Sequence, residues 1–367
     1  MNKKLLDELR ERKDEHIYVV LENDVETKVT SWLENVILVH KALPEIDFNE
    51  IDLKAEIFGR QFNSPILIEG MTGGTEIAAI INKNLATIAE EYNIPMGVGS
   101  QRVALKHPEV RWTFKIARET APDAFLIGNI GAPQLRELTL KDLDEIVSLI
   151  EADALAIHLN ALHEVIQLSG DPNYSRVLSR IVEIVDYFKI PIIVKETGAG
   201  ISREVAESLI RAGVKAIDVA GVGGTSWSAV EYYRAKKRGD ELKARLGKVY
   251  WDWGLPTAAS IIEVKNAVTK VGKTDVYIIG SGGIRSGLDA CKALVLGADF
   301  VGVARPFLAP ALKGVRELKS FITAFLNELK TAMFLTGSKT VADLRNVDFV
   351  ILPPLKDWIE QRQLKVR

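Results

Sequence analysis

The stretch GSGGIRSGLDACKALVLGADFVGVAR, residues 280–305, decides the fold. An apolar run that ends at Gly280 leads into a glycine-rich turn, an amphipathic segment and a second apolar run that ends at Arg305. This order of segments predicts a βαβ unit. Glycine N–H groups at two neighbouring strand ends, with an arginine beside them, indicate a site for a phosphate group. In an eight-stranded barrel such a phosphate binds at the last two βα loops.

Eight short apolar runs, each followed by glycine or polar residues, repeat along the chain. They read PILIEGMTGG (65–74), IPMGVGSQR (94–102), AFLIGNIGAPQ (124–134), DALAIHLN (153–160), PIIVKETGAG (191–200), AIDVAGVGGTSW (216–227), VYIIGSGGIR (276–285) and FVGVARP (300–306). Amphipathic helical segments follow nearly all of them. Apolar strands that alternate with such helices are typical of a parallel sheet covered on both faces. Eight repeats predict an α/β fold built as a single (β/α)8 barrel.

Helix caps and two regions outside the repeat complete the predicted organisation. Thr139, three residues ahead of Asp142, and Ser202 predict the starts of two helices. Residues 1–60 are predicted to form an N-terminal extension, in which the alternating segment IDLKAEIFGRQFNSP indicates a hairpin that plugs the barrel. Residues 61–367 are predicted to form the barrel, in the same domain. The charged insert after the sixth run predicts a helix that covers the barrel mouth as a lid.

The composition favours a small molecule as the binding partner. Among 367 residues, 47 Lys and Arg stand against 49 Asp and Glu, so the net charge of −2 favours neither nucleic acid nor an acidic membrane. The one cysteine, Cys291, lies in a helical run and predicts a packed thiol in a reducing compartment. No segment approaches the ~20 apolar residues that a bilayer span requires. We therefore expect a soluble, cytoplasmic protein.

Polar and glycine residues collect at the predicted carboxyl ends of the strands, where barrel enzymes place their active sites. In strand order they are Met71, Thr72, Gly73 and Gly74; Ser100, Gln101 and Arg102; Asn129; His158, Asn160, His163 and Glu164; Lys195, Glu196 and Thr197; and Gly223, Gly224, Thr225 and Trp227. Since His158 and Asn160 are two positions apart at one strand end, their side chains point to the same face. We expect these two side chains to bind one ligand.

Lys195 directly follows the apolar strand PIIV, which places its ammonium group at the predicted barrel mouth. Such a lysine forms a Schiff base in some enzymes and stabilises a negatively charged cofactor ring in others. A phosphate site after the seventh and eighth strands and the amide of Asn129 after the third favour flavin mononucleotide (FMN). Reduced flavin carries negative charge that a nearby cation stabilises.

Taken together, these motifs resemble those of the type 2 isopentenyl diphosphate isomerases, which are flavin-dependent barrel enzymes. The matching segments run in order from RKDEH (12–16) through GMTGG, GVGSQR, NIGAPQL, HLNALHE, VKETG, GVGGTSW, DWGLPTAAS and GSGGIRSG to LTGSK (335–339). The resemblance implies the interconversion of isopentenyl and dimethylallyl diphosphate with reduced FMN and without net redox change. It also implies Mg²⁺, NAD(P)H as the reductant, and a homotetramer or homo-octamer.

The resemblance further implies a role for each matching residue. The residues that would hold FMN are Met71, Thr72, Gly73, Ser100, Asn129, Lys195, Thr225, Gly283, Ile284, Arg285, Ala304 and Arg305. Those that would hold the substrate are Arg12, Lys13, Ser100, Gln101, Arg102, His158 and Asn160 at the diphosphate, and His163, Trp227 and Glu231 at the isoprenyl group. Glu164 would bind Mg²⁺, which prefers oxygen ligands. His163 would assist catalysis beside reduced FMN, which is the main acid and base.

Two positions depart from the family pattern. His163 stands where HLNxxQE places a glutamine, and the charge of a histidine changes near about pH 6 to 7. Ala220 stands where a hydroxyl-bearing residue is expected, so one hydrogen bond to the flavin is predicted to be missing.

Two alternative functions remain open. An FMN-dependent oxidoreductase of the 2-hydroxy acid oxidase or dehydrogenase type shares the phosphate site and the lysine, but it is expected to carry HGGxR where this chain reads SGGIR (281–285). A protein that binds diphosphates without catalysis is the second alternative, if His163 has replaced the working group.

Overall fold

Eight parallel strands form the centre of the computed structural model, which describes residues 3–366, with the side chains of residue 11 and of residues 13–366. The strands of the chain are β1 (Val36–Leu38), β2 (Ala55–Ile57), β3 (Arg60–Phe62), β4 (Ile66–Ile68), β5 (Met96–Gly97), β6 (Leu126–Gly131), β7 (Ala154–His158), β8 (Ile192–Lys195), β9 (Ala216–Asp218), β10 (Tyr277–Ser281), β11 (Phe300–Val303) and β12 (Phe349–Ile351). Strands β4 to β11 pair in sequence order, and β11 pairs with β4 to close the ring. The predicted (β/α)8 barrel is confirmed.

Helices surround the barrel and continue at both ends of the chain. They are α1 (Lys3–Glu22), α2 (Glu76–Tyr92), α3 (Arg102–Lys106), α4 (Trp112–Thr120), α5 (Leu140–Leu149), α6 (Ala161–Ile166), α7 (Val177–Tyr187), α8 (Arg203–Arg211), α9 (Trp227–Arg238), α10 (Glu241–Val249), α11 (Thr257–Val271), α12 (Gly287–Leu296), α13 (Arg305–Lys313), α14 (Val315–Leu335) and α15 (Leu355–Gln361). None of these helices, within the described chain, is long and apolar enough to cross a membrane.

Local sequence signals fix the starts of several helices. The side chain of Thr139 accepts a hydrogen bond from the backbone of Asp142, whose carboxylate bonds back to Thr139, so α5 begins with the predicted capping box. Ser202 caps α8 by a single hydrogen bond, which its side chain accepts from the N–H of Val205. The strands β5, β7 and β11 are each followed by two α-helices rather than one.

The antiparallel hairpin β2–β3 closes the amino-terminal end of the barrel. Ile57 and Phe62 from the hairpin are buried with Phe125, Phe300 and other residues near the beginnings of the strands. Phe62 meets the rings of Phe125 and Phe300 edge to face, at centroid distances of 5.7 and 5.9 Å. Because the hairpin closes this end, ligands reach the barrel from its other end.

The predicted division of the chain between residues 60 and 61 falls inside β3 and stays a prediction.

The insert after β9 forms two helices, α9 and α10, which pack against each other and against α6. Helix α1 from the N-terminal extension also packs on α9. These contacts bring side chains from α1, α6 and α9 together beside the carboxyl ends of the strands.

The segment from residue 280 to residue 305 forms the βαβ unit that its sequence predicts, with β10 and β11 as parallel neighbours joined by α12. Ser286 caps α12 through the N–H of Asp289. Cys291 is fully buried on this helix, and burial raises the pKa of its thiol to about 12. The predicted role of Cys291 as a packed thiol is confirmed.

Candidate functional site

Two glycine-rich loops touch each other at the predicted phosphate site. Gly282 and Gly283 after β10 have φ values of 98° and 69°, which favour glycine. A Cβ atom on Gly283 would lie 2.3 Å from the carbonyl oxygen of Gly223 in the loop after β9. Only glycine therefore permits this approach of the two loops.

Two arginines beside these loops share one carboxylate. The Arg285 Nη2 lies 2.8 and 2.9 Å from the two carboxylate oxygens of Glu26, and the Arg305 Nη1 contacts the Oε1 of the same residue. The segment after α1 carries Glu26 to this point, where Thr27 also hydrogen bonds to the backbone of Gly223 and Gly224. A carboxylate and a phosphate are both oxyanions that bind guanidinium groups. Arg285 and Arg305 therefore form an anion-binding site, to which the carboxylate of Glu26 is bound.

Lys195 lies at the end of β8 between two buried carboxyl groups. Its Nζ is 3.6 Å from an oxygen of Glu69 and 3.6 Å from an oxygen of Asp218. Burial raises the pKa of Glu69 well above its ordinary value, and the neighbouring Asp218 adds to this shift. Burial lowers the pKa of Lys195, but both carboxyl groups raise it more, so the net shift is upward. The ammonium group is therefore charged.

One oxygen of Glu69, the Oε1, has no hydrogen-bond partner although it is buried. It lies against Gly302 of β11, where a Cβ atom would be 2.1 Å away. A cavity at this place is lined by Glu69, Asn129, Lys195 and Asp218, among other residues. A buried polar atom without a partner inside a cavity indicates a site for a bound group.

Asn129 and His158 form a hydrogen-bonded pair beside this cavity. The Nδ1 of His158 lies 2.8 Å from the Oδ1 of Asn129, whose amide nitrogen donates to the carbonyl of Val98 at 3.0 Å. Burial lowers the pKa of His158 to about 3, and the charge of Lys195 adds to this shift. The imidazole is therefore neutral and offers its Nε2 for one more hydrogen bond.

Gln101 lies at the predicted strand end, but its side chain turns into the protein. It is fully buried, its amide nitrogen donates to the carbonyl of Ile146, and its amide oxygen accepts from the N–H of Asn129, both at 2.9 Å. Both halves of the amide are thus engaged by the protein, and neither is left for a diphosphate. Gln101 instead stabilises the backbone of β6 at Asn129.

His163 belongs to a cluster that joins three helices. The Nε2 atoms of His163 on α6 and of His16 on α1 each lie 2.9 Å from the same oxygen, Oε1, of Glu231 on α9. Arg234 donates to both oxygens of Glu231 at 2.9 and 2.6 Å. The indole ring of Trp227 stacks on the imidazole of His163 at a centroid distance of 4.8 Å. The structure thus brings His163, Trp227 and Glu231 together as predicted.

The protonation of this cluster follows from burial and hydrogen bonding. Burial raises the pKa of Glu231, but hydrogen bonds from His16 and His163 lower it more, so the net pKa lies far below its ordinary value. Burial lowers the pKa of His16 to about 4, although Glu231 opposes this shift. The cluster at neutral pH therefore contains an ionised carboxylate beside a neutral His16.

Glu164 is buried next to His163 and accepts three hydrogen bonds. Its Oε1 accepts from the side-chain amide of Asn160 at 2.8 Å, and its Oε2 accepts from Gln167 at 3.1 Å and from the N–H of Asp171 at 2.6 Å. A carboxylate is a suitable ligand for Mg²⁺, and with one donor on Oε1 and two on Oε2 the Glu164 carboxylate retains an acceptor position on Oε1 for an ion.

The N-terminal helix reaches the barrel mouth of its own chain. The Nζ of Lys13 donates to the carbonyl oxygens of Gly73 and Ser100, the latter at 3.3 Å, and lies 5.2 Å from the ring centre of Phe114. The side chain of Arg12, predicted beside it, lies outside the described residues. Half-buried Arg102 begins α3 next to Ser100.

The remaining predicted residues lie in the loops at the carboxyl ends of the strands. These are Met71, Thr72 and Gly73 after β4, Thr225 after β9, Ile284 after β10, and Ala304 directly after β11. Ala220 has a φ of 35°, a left-handed conformation that is rare outside glycine, and its N–H donates to the Oγ of Ser281 at 3.0 Å. Backbone strain of this kind concentrates at functional sites.

Sequence reasoning overlooked five members of the site. His16 and Glu26 come from the N-terminal extension, Glu69 and Asp218 lie inside the barrel, and Arg234 stands behind Glu231. His16 belongs to the motif RKDEH and Glu69 follows the first apolar run, so the sequence offered a reason to include both in the site. Nothing in the local sequence marks Glu26 or Arg234.

Both a family model and individual relatives match this chain over most of its length. The family described as FMN-dependent dehydrogenase matches residues 106–350. The isopentenyl-diphosphate delta-isomerase of Thermococcus kodakarensis is 49% identical over 360 residues, which cover 96% of this chain and 94% of that protein. The corresponding isomerase of Ignicoccus hospitalis is 46% identical over 356 residues, which cover 97% of each chain.

Solved structures with the same fold are more distant in sequence. A lactate oxidase from Pediococcus acidilactici superposes with a TM-score of 0.65 at 19% identity, over 95% of this chain and 94% of that chain. A mandelate oxidase variant superposes with a TM-score of 0.63 at 17% identity, over 95% and 99% of the two chains. At such identities the likeness shows the fold alone. The family is shown by the relatives that match almost end to end, and the chain therefore belongs to the type 2 isopentenyl-diphosphate delta-isomerases within the FMN-dependent dehydrogenase family.

Proposed function

We propose that this protein interconverts isopentenyl and dimethylallyl diphosphate with FMN as its cofactor, as a step of isoprenoid synthesis. The observation that carries the proposal is the 46 to 49% identity to such isomerases over at least 96% of the chain. Its cation-lined barrel mouth, with Lys195, Arg285 and Arg305, supports the same conclusion.

The residues at the mouth fit FMN. The carboxylate of Glu26 between Arg285 and Arg305 stands in for an oxyanion, and the buried Oε1 of Glu69 lacks a partner in the cavity beside Lys195. The residues that would hold FMN are Met71, Thr72, Gly73, Ser100, Asn129, Lys195, Thr225, Gly283, Ile284, Arg285, Ala304 and Arg305. When bound and reduced, FMN supplies an acid for the alkene and an electron-rich ring that stabilises positive charge. Lys195 would hold negative charge on that ring.

We expect Glu26→Gln to bind FMN about five- to tenfold more tightly than the unchanged protein, since a phosphate competes with this carboxylate for both guanidinium groups. The affinity can be measured by quenching of FMN fluorescence. Riboflavin, which lacks the phosphate, serves as the control ligand and should bind both proteins equally. Glu22→Gln, a change at an exposed glutamate in the same segment, serves as the control variant. Weaker binding of FMN by Glu26→Gln would show instead that Glu26 holds the arginines in place beside the phosphate.

The diphosphate of the substrate would meet Lys13, Arg102, Ser100, His158 and Asn160. Lys13 brings its charge to the loops after β4 and β5. The neutral His158 donates its Nδ1–H to Asn129, so its Nε2 carries no proton and would accept one hydrogen bond, or donate to the diphosphate after taking up a proton. Binding at the diphosphate orients the distant double bond. Arg12 is included in the proposal because it precedes Lys13 in α1. Gln101 takes a positioning role through Asn129.

His163 and Trp227 would line the pocket for the isoprenyl group, with Glu231 behind them. Both residues line one cavity together with Leu162 and Trp251. The stacked indole and the bond to Glu231 fix the ring of His163, so its Nε2 proton lies at a defined place. An apolar, aromatic wall excludes water from a carbocation.

We expect His163→Gln to maintain or raise the isomerase turnover, because a glutamine amide can donate the same hydrogen bond to Glu231 and is the residue that the family pattern places here. The turnover number is measured at saturating isopentenyl diphosphate, with the FMN content of both proteins determined by absorbance. A large loss of turnover at equal FMN content would show that the imidazole has a role that an amide cannot fill.

Mg²⁺, the reductant and the assembly complete the proposal. We infer that Mg²⁺ joins the diphosphate to the Oε1 of Glu164, while the hydrogen bonds from Asn160, Gln167 and Asp171 hold the carboxylate in place. NAD(P)H is proposed as the reductant, and a homotetramer or homo-octamer as the assembly. Chelation of Mg²⁺ with EDTA should then abolish turnover, and addition of Mg²⁺ should restore it.

One assay separates this function from its alternatives. The purified protein is mixed with FMN, dithionite, Mg²⁺ and isopentenyl diphosphate, and the dimethylallyl isomer is the expected product. Oxidation of a 2-hydroxy acid with an electron acceptor would identify an oxidoreductase instead. Against that alternative, Ser281 occupies the position of the expected histidine, and its hydroxyl donates to Asp218. Bound FMN without either activity would identify a non-catalytic binding protein.

A further inference from the structure

We propose that His16, His163 and Glu231 form a binding site for a divalent transition-metal ion such as Zn²⁺, separate from the Mg²⁺ proposed at Glu164. Each residue offers one ligand atom, and these three atoms lie within 4.8 Å of one another. Two imidazole nitrogens and one carboxylate oxygen are the donors that Zn²⁺, Co²⁺ and Ni²⁺ prefer, whereas Mg²⁺ takes oxygen ligands.

Two of the three distances between ligand atoms are already short enough for a shared ion, and the widest, which is within 4.8 Å, would shorten when an ion binds. Zinc lies ~2.0 to 2.2 Å from nitrogen and oxygen ligands, so two ligands of one ion are about 3 to 4 Å apart. The Nε2 atoms of His16 and His163 are each 2.9 Å from the Oε1 of Glu231. An ion would take the place of the two hydrogen bonds, and each imidazole bound to the ion would be neutral, with its proton on Nδ1 instead of Nε2.

The surroundings of Glu231 support a charged ligand. The carboxylate is almost fully buried and bonded to Arg234, whose Nε lies 3.2 Å from the carboxylate of Glu15. Glu15 in turn pairs with Lys237 and Arg238, so the negative charge available to an ion is that of Glu231 itself. Residues that hold a ligating carboxylate in place normally strengthen a metal site.

An ion can reach the cluster through a cavity, and it would compete there with the substrate. His163 and Trp227 line a cavity, and the side chains of His16 and His163 are 17% and 13% exposed. Because this is the cavity proposed for the isoprenyl group, an ion bound there would compete with the substrate. This consequence rests on the proposed function, whereas the binding of the ion does not.

Calorimetric titration of the FMN-loaded protein with Zn²⁺, in excess Mg²⁺, tests the binding directly. We expect one Zn²⁺ per chain, and we expect His163→Gln and His16→Gln each to weaken its binding at least about tenfold, as loss of a metal ligand does. His40→Gln removes an exposed histidine with the same chemical change and should leave the affinity as it was. FMN absorbance and the melting temperature show that each variant is folded.

Three results would overturn the proposal: no stoichiometric binding of Zn²⁺, equal affinity in the protein and in both cluster variants, or loss of binding in His40→Gln. A second measurement connects the site to activity. If isomerase activity is present, Zn²⁺ should inhibit it competitively with isopentenyl diphosphate, and His163→Gln should need at least about ten times more Zn²⁺ for half inhibition. Inhibition that is equal in both proteins contradicts the site. Failure of the isomerase assay itself leaves the calorimetric result standing.

Discussion

Lys195→Met is expected to lower the free energy of unfolding by about 3 to 5 kcal/mol at pH 8, because it leaves two buried carboxyl groups without their cation. Lys195 is the positive partner of both Glu69 and Asp218, each at 3.6 Å, and its side chain is 12% exposed. Methionine keeps the length and the apolar stem of lysine, so the packing changes little. Urea denaturation of the FMN-free protein measures the effect without a contribution from cofactor binding.

The loss should shrink as the pH falls. A carboxyl group whose pKa is raised in the folded protein binds more protons in the native state than in the unfolded state, so it destabilises the native state as the pH rises through that window. The pKa of Glu69 is already raised, and removal of Lys195 raises it further. The variant should therefore approach the unchanged protein in stability near pH 5.

Lys215→Met is the matched control for this experiment. Lys215 also pairs with an aspartate, Asp275, but both side chains are at least half exposed. Such surface pairs contribute less than about 1 kcal/mol. Equal effects of the two substitutions, or an effect of Lys195→Met that does not depend on pH, would contradict the account of the buried cluster.

Arg305→Gln is expected to weaken the binding of FMN about 30- to 100-fold, since a hydrogen bond between two charged groups contributes about 2 to 3 kcal/mol. Arg305 lies at the end of β11, and its two terminal nitrogens contact Glu26 and the carbonyl oxygen of Val20. Quenching of FMN fluorescence gives the affinity. Riboflavin should bind the variant as well as it binds the unchanged protein, because it has no phosphate to lose.

Arg316→Gln makes the same change of charge at an exposed position of α14 and should leave the affinity for FMN as it was. A similar loss of affinity for FMN and riboflavin in Arg305→Gln would show that the arginine supports the fold of the mouth rather than the phosphate.

The barrel and most of its mouth could be predicted from the sequence because both depend on local patterns. Parallel strands covered on both faces appear as continuous apolar runs, and β6 is buried at all six positions. A residue that directly follows such a strand lies at the mouth. This rule placed Asn129, His158 and Lys195 at the carboxyl ends of neighbouring strands, where the structure brings them together: Asn129 and Lys195 line one cavity, and His158 bonds to Asn129.

The rest could not be predicted because it depends on distant contacts and on side-chain direction. Glu26 and Arg285 are 259 residues apart, and His16 and Glu231 are 215 residues apart. Gln101 lies at a strand end, as predicted, but its side chain turns inward to serve the backbone of Asn129 and Ile146. The sequence pattern predicts which residue lies at the end of a strand, but it does not predict the rotamer of that residue.

Lys13 on α1 contacts the loops after β4 and β5 of the same polypeptide. Lys13 therefore serves the mouth of its own polypeptide. Mixing a subunit defective at Lys13 with one defective at Arg305 should restore no activity, because neither polypeptide can lend the other its missing group. Intersubunit complementation is therefore not expected for this enzyme.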